Sequence, residues 1–307
     1  MTLRNLNGSS SYTKGYVLAI IASITYGLNP LFAVPLYGMG MDVLSVLFYR
    51  YAFAVVVLGL FMKFNRVSFS FSRRQIIPII AAGFLFALSS YTLFESYRFM
   101  DVGIASTILY VTPFFVAIIM STIFHEKLKP RLIICIVAAL IGIGMISIKY
   151  DSTIQNPLGI GLVILSSFVY SIYIILIKET SIRSMDSSAL TFYCLIIGLF
   201  FFFSAMGFGI NMTAIPSNLS AYANLLGLSV FPTIVSIVAM TIAIKIIGPV
   251  PTSVLEALEP VTALIIGGLM FGEKLTFINV LGIIIVISSV SIFILKGKAK
   301  NVRQRVD

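Results

Sequence analysis

Polar residues punctuate this sequence rather than alternate through it. Ten apolar runs lie near residues 15–34, 43–62, 76–98, 102–124, 131–149, 158–177, 188–209, 221–244, 250–271 and 276–295, with short polar connections between them. Each has about the 17–25 residues that a helix needs to cross the hydrocarbon core of a bilayer. Hydrocarbon offers no partner to an open sheet edge, and the runs are too long for barrel strands, so the pattern predicts helices. The expected fold class is an all-α integral membrane protein of ten transmembrane helices, with no soluble domain of useful size.

The pattern also occurs twice. Val254–Leu275 (VLEALEPVTALIIGGLMFGEKL) is echoed 147 residues earlier by Thr107–Leu128 (TILYVTPFFVAIIMSTIFHEKL). Pro113 aligns with Pro260, Phe124 with Phe271, and Glu126-Lys127-Leu128 with Glu273-Lys274-Leu275. An offset of 144 aligns Gly15 with Gly159, Tyr26 with Tyr170, Asp42 with Asp186, and Phe48-Tyr49 with Phe192-Tyr193. The chain therefore divides into five-helix repeats at 15–149 and 158–296, with polar tails at 1–14 and 297–307. Five is odd, so the second repeat enters the membrane upside down relative to the first. Inverted repeats that meet at a central site are a recurring design of secondary transporters.

Composition agrees. The chain is 59% hydrophobic and 10% charged, where a soluble domain has about a quarter of its residues charged. A net charge of +10 would suit nucleic acid, but the charges occupy short loops and the tail rather than one face. Positive-inside bias accounts for them: with the N-terminus inside, 17 of the 21 lysines and arginines fall on the inner side. Only Arg98, Lys149 and Lys274 fall outside, and Arg50 lies within a span. Both termini are thus expected in the cytoplasm, in a multi-pass protein of the cytoplasmic membrane. The N-terminus lacks the order of a cleaved signal, so the first span is expected to be retained. Cys135 and Cys194 sit in apolar runs and read as packing residues. His125 is the single histidine, without clustered ligands, and there is no phosphate-binding loop. The expectation is no metal, no cofactor, no catalytic residue and no enzymatic activity.

Candidate chemistry lies inside the spans, where an ionisable residue usually faces a cavity or pathway. Glu256 and Glu259 are three apart and project to one face of a helix. Glu259 would lie about 13 Å into a core of about 30 Å. The pair offers an acceptor site for a cationic group or a proton, or else a structural pair neutralised by burial. Arg50 and Glu95 lie toward the outer ends of spans two and three. Arg50 either binds an anionic group with Glu95 as its resting partner, forms a structural bridge with it, or snorkels to the interface. In span one, Tyr26-Gly27-Leu28-Asn29-Pro30 interrupts the helix, with Asn29 facing a cavity; Tyr170 and Tyr173 lie at comparable depth in span six. These groups suit a small amphiphilic ligand, although the tyrosines also serve as interfacial anchors.

The order of spans and Glu259-Pro260, followed by Gly272-Glu273-Lys274-Leu275 and Gly282, resembles the drug/metabolite transporter (DMT) superfamily, in its ten-helix EamA-type branch. The resemblance covers about residues 15–296. In the first half Thr112, His125 and Cys135 replace the motif's glutamate and glycines, which weakens equal participation of both halves in a site. The resemblance implies a metabolite exporter whose site is surrounded by spans one, three, four, six, eight and nine, with Tyr110 of span four among the candidates. The functional expectation is a secondary transporter moving a small metabolite, amino acid or drug-like compound by alternating access. Its partners would be that small molecule and the lipid bilayer, with protons as a candidate coupling ion, and no nucleic acid. A non-transporting membrane scaffold and a membrane-embedded lipid-processing enzyme are the rival classes, and neither has a supporting constellation.

The charge asymmetry generates a topology prediction. An impermeant maleimide should label Ser217→Cys in intact cells and leave Ser70→Cys protected. The opposite pattern would invert the orientation.

Overall fold

The computed structural model describes residues 3–96, 98–100, 105, 108–127, 130–146, 156–271 and 276–303. The turn at Glu273-Lys274 and residues 101–104, 106 and 107 of the predicted fourth span lie outside the described residues. Every regular element among the described residues is helical. The helices are α1 Leu3–Tyr26, α2 Asn29–Gly38, α3 Val43–Phe64, α4 Ile76–Ser96, α5 Thr112–Thr122, α6 Pro130–Ile146 and α7 Pro157–Glu179. They continue with α8 Ser187–Ala205, α9 Leu219–Ser229, α10 Ser236–Ile247, α11 Pro249–Leu255, α12 Leu258–Phe271 and α13 Phe277–Arg303. Several join into longer spans. Among the described residues, eight segments are long and apolar enough to cross a membrane, and α5 and α6 are shorter apolar helices.

Local chemistry sets the boundaries. Asp42 and Asp186, matched by the 144-residue offset, cap α3 and α8: Asp42 Oδ1 accepts from the Ser45 amide at 3.0 Å, and Asp186 Oδ1 from the Ser188 amide at 2.8 Å. Each satisfies an amide that the first turn of a helix leaves without a partner. Between α1 and α2 the chain breaks at Gly27-Leu28, as the Gly-Asn-Pro sequence predicts. Gly27 is needed there for approach: a Cβ would stand 2.6 Å from the Glu259 carbonyl oxygen. Between α9 and α10, Val230–Val235 forms a π-helical turn around Pro232, which has no amide hydrogen to donate.

The second carboxylate segment is not one continuous helix. It breaks into α11 and α12, joined by a tight turn in which the Glu256, Ala257 and Glu259 amides donate to Ser253, Val254 and Glu256 carbonyls. Pro260 explains this, because its ring excludes the carbonyl that a continuous helix would place four residues back. Glu256 therefore sits in the turn and Glu259 in the first turn of α12, a correction to the single-helix expectation.

The most extensive helix pairings all join the first half to the second: α6 with α13, α4 with α7, α1 with α10, and α3 and α4 with α8. Contacts recur with the halves exchanged. Ser236 Oγ of α10 donates to the Ala22 carbonyl of α1 at 2.8 Å, while Ser89 of α4 meets Ser166 of α7 at 3.0 Å, hydroxyl to hydroxyl. Gly15 lies against Ile246 and Ile247; Gly159 lies against Phe99 and Met100. On the flank, Gly142 abuts the Gly282 carbonyl, and Ser289 Oγ donates to the Cys135 carbonyl at 2.7 Å. Small residues allow backbones to approach in this way where lipid supplies no hydrophobic drive between helices. The main core, including Tyr51, Phe86, Tyr173, Ile174 and Phe202, fills the space among α3, α4, α7 and α8.

The flank supplies a controlled test. A Cβ on Gly142 would lie 2.9 Å from the Gly282 carbonyl oxygen, whereas one on Gly144 meets nothing within 4 Å. Gly144→Ala should be neutral or stabilising by up to about 1 kcal/mol, the helix-propensity gain. Gly142→Ala should destabilise by about 1–3 kcal/mol through overpacking. Thermal unfolding of the purified variants checks this, and equal melting temperatures would contradict it.

Candidate functional site

The helix breaks converge on one cavity of about 850 Å³, counting its open mouth. Its wall comes from α1 (Ser23, Tyr26), α4 (Phe86, Ser89, Ser90, Leu93), the start of α5 and the residues before it (Leu109, Tyr110, Thr112), α7 (Tyr170, Tyr173), α10 (Ser236, Ile237, Met240) and the α11–α12 junction (Glu256, Glu259, Pro260). These are the six spans that the resemblance puts around a site. Many lining residues are partners under the repeat offsets: Tyr26 with Tyr170, Ser89 with Ser236, Ser90 with Ile237, Leu93 with Met240, Leu109 with Glu256, and Thr112 with Glu259. The acidic members of these pairs come from the second half alone.

Hydrogen bonds hold this wall. The Tyr170 hydroxyl donates to Glu256 Oε1 at 3.0 Å, and the Tyr110 hydroxyl to the Val254 carbonyl at 2.7 Å. In the first half, Ser167 and Ser171 of α7 donate to the Leu109 and Thr112 carbonyls at 3.0 and 3.2 Å. Side chains thus satisfy carbonyls around both helix interruptions. The rings of Phe86, Tyr170 and Tyr173 form one aromatic wall, with centroids 5.1 Å apart for Phe86–Tyr173 and 5.7 Å for Tyr170–Tyr173. Glu256 is 8% exposed and within Coulombic reach of Glu259.

Tyr26, Tyr110, Tyr170, Tyr173, Glu256 and Glu259 therefore share the cavity, and three other predicted residues do not line it. Asn29 begins α2 away from the wall, and its Oδ1 is buried without a hydrogen-bond partner among the described residues. Its position under the 144-residue offset is that of Tyr173, which does line the cavity. Glu95 pairs instead with Arg98, 2.6 Å away and one turn further along the chain. Arg50 is 2% exposed and turned to the π-helical turn, where Nε donates to Thr233 Oγ1 at 2.5 Å and Nη2 to the Pro232 carbonyl at 3.2 Å. The expected Arg50–Glu95 bridge does not form, because the irregular turn offers Arg50 acceptors and Arg98 reaches Glu95 locally. Arg50 is not in the cavity wall, but its guanidinium carbon lies 5.7 Å from the ring centroid of Tyr26, which is.

The serines of the wall escaped sequence reasoning, since a serine in a span reads as a small packing residue. The available signal was the offset itself, which pairs Ser89 with Ser236.

The EamA-like transporter family matches the chain twice, over residues 13–148 and 157–295. The chain belongs to that family. This EamA-like chain, and the DMT superfamily around it, is thereby a multi-pass membrane protein of a transporter lineage. It is 25% identical over 258 residues to a protein described as an uncharacterized transporter from Archaeoglobus fulgidus, covering 83% of this chain and 88% of that one. A solved crystal structure shares the fold, with a TM-score of 0.75 at 12% identity, over 96% of this chain and 99% of the other.

The Arg50 geometry makes a stability prediction. A lysine ammonium keeps the charge but loses the planar fork that reaches two acceptors at once. Hydrogen bonds from charged groups contribute about 1.5–3 kcal/mol each, so Arg50→Lys should lower the melting temperature by several degrees. Thr233→Val should lower it less. An Arg50→Lys protein as stable as wild type would show that the fork is dispensable.

Proposed function

We propose that this protein is a secondary transporter, working as an exporter of a small metabolite, amino acid or drug-like compound. Two five-helix halves, inverted relative to one another and with both termini in the cytoplasm, expose the cavity alternately to either side. The observation that carries this reading is the cavity wall: positions matched by the repeat offset share it. A site built at the interface of two equivalent halves can be exposed by rocking one half against the other. The exchanged contacts support the same reading, since Ser236–Ala22 and Ser89–Ser166 join positions matched by the repeat offsets. Protons are the candidate coupling ion, with Glu256 and Glu259 the carboxylates placed to carry them.

A covalent block tests the reading without disturbing the fold. Ser90 lines the cavity, while the native Cys135 and Cys194 are buried. Ser90→Cys protein in liposomes should show counterflow of at least one member of a labelled metabolite panel. A bulky methanethiosulfonate reagent should abolish that counterflow, and reduction should restore it. Counterflow unaffected by complete modification would remove the cavity from the transport path.

A further inference from the structure

The charge inventory of the cavity is unbalanced, and the imbalance specifies a ligand. We propose that the cavity selects small monocationic amphiphiles, with a protonated amine on Glu256 and a flat apolar body against Phe86, Tyr170 and Tyr173. This names the substrate class of the transporter reading above and rests on it.

Among the described residues, two carboxylates line the cavity, and no lysine, arginine or histidine does. The cation within Coulombic reach is Arg50, which acts on Glu259. It lies against the Tyr26 ring, is not itself in the cavity wall, and spends two donors on Thr233 and Pro232 while offsetting one negative charge. Glu256 has no such counterpart among the described residues. It is more than nine-tenths buried, and its hydrogen-bond donor there is the neutral Tyr170 hydroxyl. An isolated carboxylate in a low-dielectric site is strongly unfavourable unless paired or protonated. One mobile positive charge, a substrate ammonium or a proton, restores the balance.

The remaining wall decides against other classes. The serine hydroxyls offer an anion little, since Ser236 and Ser89 already bond Ala22 and Ser166 and Ser90 lies 3.3 Å from the Tyr51 hydroxyl. A dication would exceed the charge left over. The three rings present an apolar, π-rich surface beside Glu256, which suits a cation carrying an aromatic or alkyl body.

Isothermal titration calorimetry on the full-length protein in nanodiscs, at neutral pH, tests this with four probes: phenethylamine, 2-phenylethanol, phenylacetate and putrescine. Phenethylamine should bind at least tenfold tighter than any of the others. Glu256→Gln should weaken phenethylamine tenfold or more and leave 2-phenylethanol within twofold. The proposal is overturned by equal affinity for amine and alcohol, by phenylacetate or putrescine binding as tightly as phenethylamine, or by no binding of any probe. Should Glu256→Gln fail to fold, the wild-type ranking decides alone. Counterflow in liposomes keeps the two readings apart. Amine-selective binding with no counterflow of any compound would sink the transporter reading and leave the selectivity standing. Counterflow of phenylacetate in preference to phenethylamine would sink the selectivity and leave transport standing.

Discussion

Hydrocarbon supplies no hydrogen bonds, so every interruption of a helix must find its partners inside the protein. That constraint governs this structure. The chain breaks its helices at Gly27, before Pro113, around Pro232 and before Pro260, and around the last three of these, side chains take up exposed backbone. Tyr110 serves the Val254 carbonyl, Ser167 and Ser171 serve Leu109 and Thr112, and Arg50 serves Pro232. In each case donor and acceptor come from opposite halves of the chain. The polar groups that make a cavity possible are thus the same ones that tie the halves together.

This double duty explains which residues were visible in the sequence. The spans were legible because apolar length is a local property, and the repeat because identical residues recur at fixed offsets. The break at Gly27 announced itself through Gly, Asn and Pro in five residues. Glu256 and Glu259 stood out because carboxylates inside spans are few, and Tyr26 and Tyr170 because the 144-residue offset matches them. The partners of Arg50 were hidden for a tertiary reason: they lie on an irregular turn more than 180 residues away, and no local pattern marks a π-helical turn beyond Pro232. Glu95 was misassigned for the opposite reason, since its partner Arg98 lies only three residues along. The break at Glu256 was hidden because Pro260 kinks and terminates helices alike.

The two halves match in sequence pattern and differ in charge. Thr112 stands where Glu259 stands in the other half, and Leu109 where Glu256 stands, so a repeated pattern encloses an asymmetric field. Helix packing needs only the small residues and hydroxyls to repeat. The chemistry of the cavity needs only one half to carry it, which leaves the other free to supply apolar surface.

The pairing of α1 with α10 and of α4 with α7 has a consequence for biosynthesis. When α1 enters the membrane, the helix that will cover Gly15 and bond to Ala22 lies more than 200 residues downstream. At about 5–20 residues per second of synthesis, α1 waits on the order of ten seconds or longer among lipids for that neighbour. The first half therefore spends its early life with its serine and glycine faces uncovered, a chain that can insert in sequence but can assemble only after its last helices arrive.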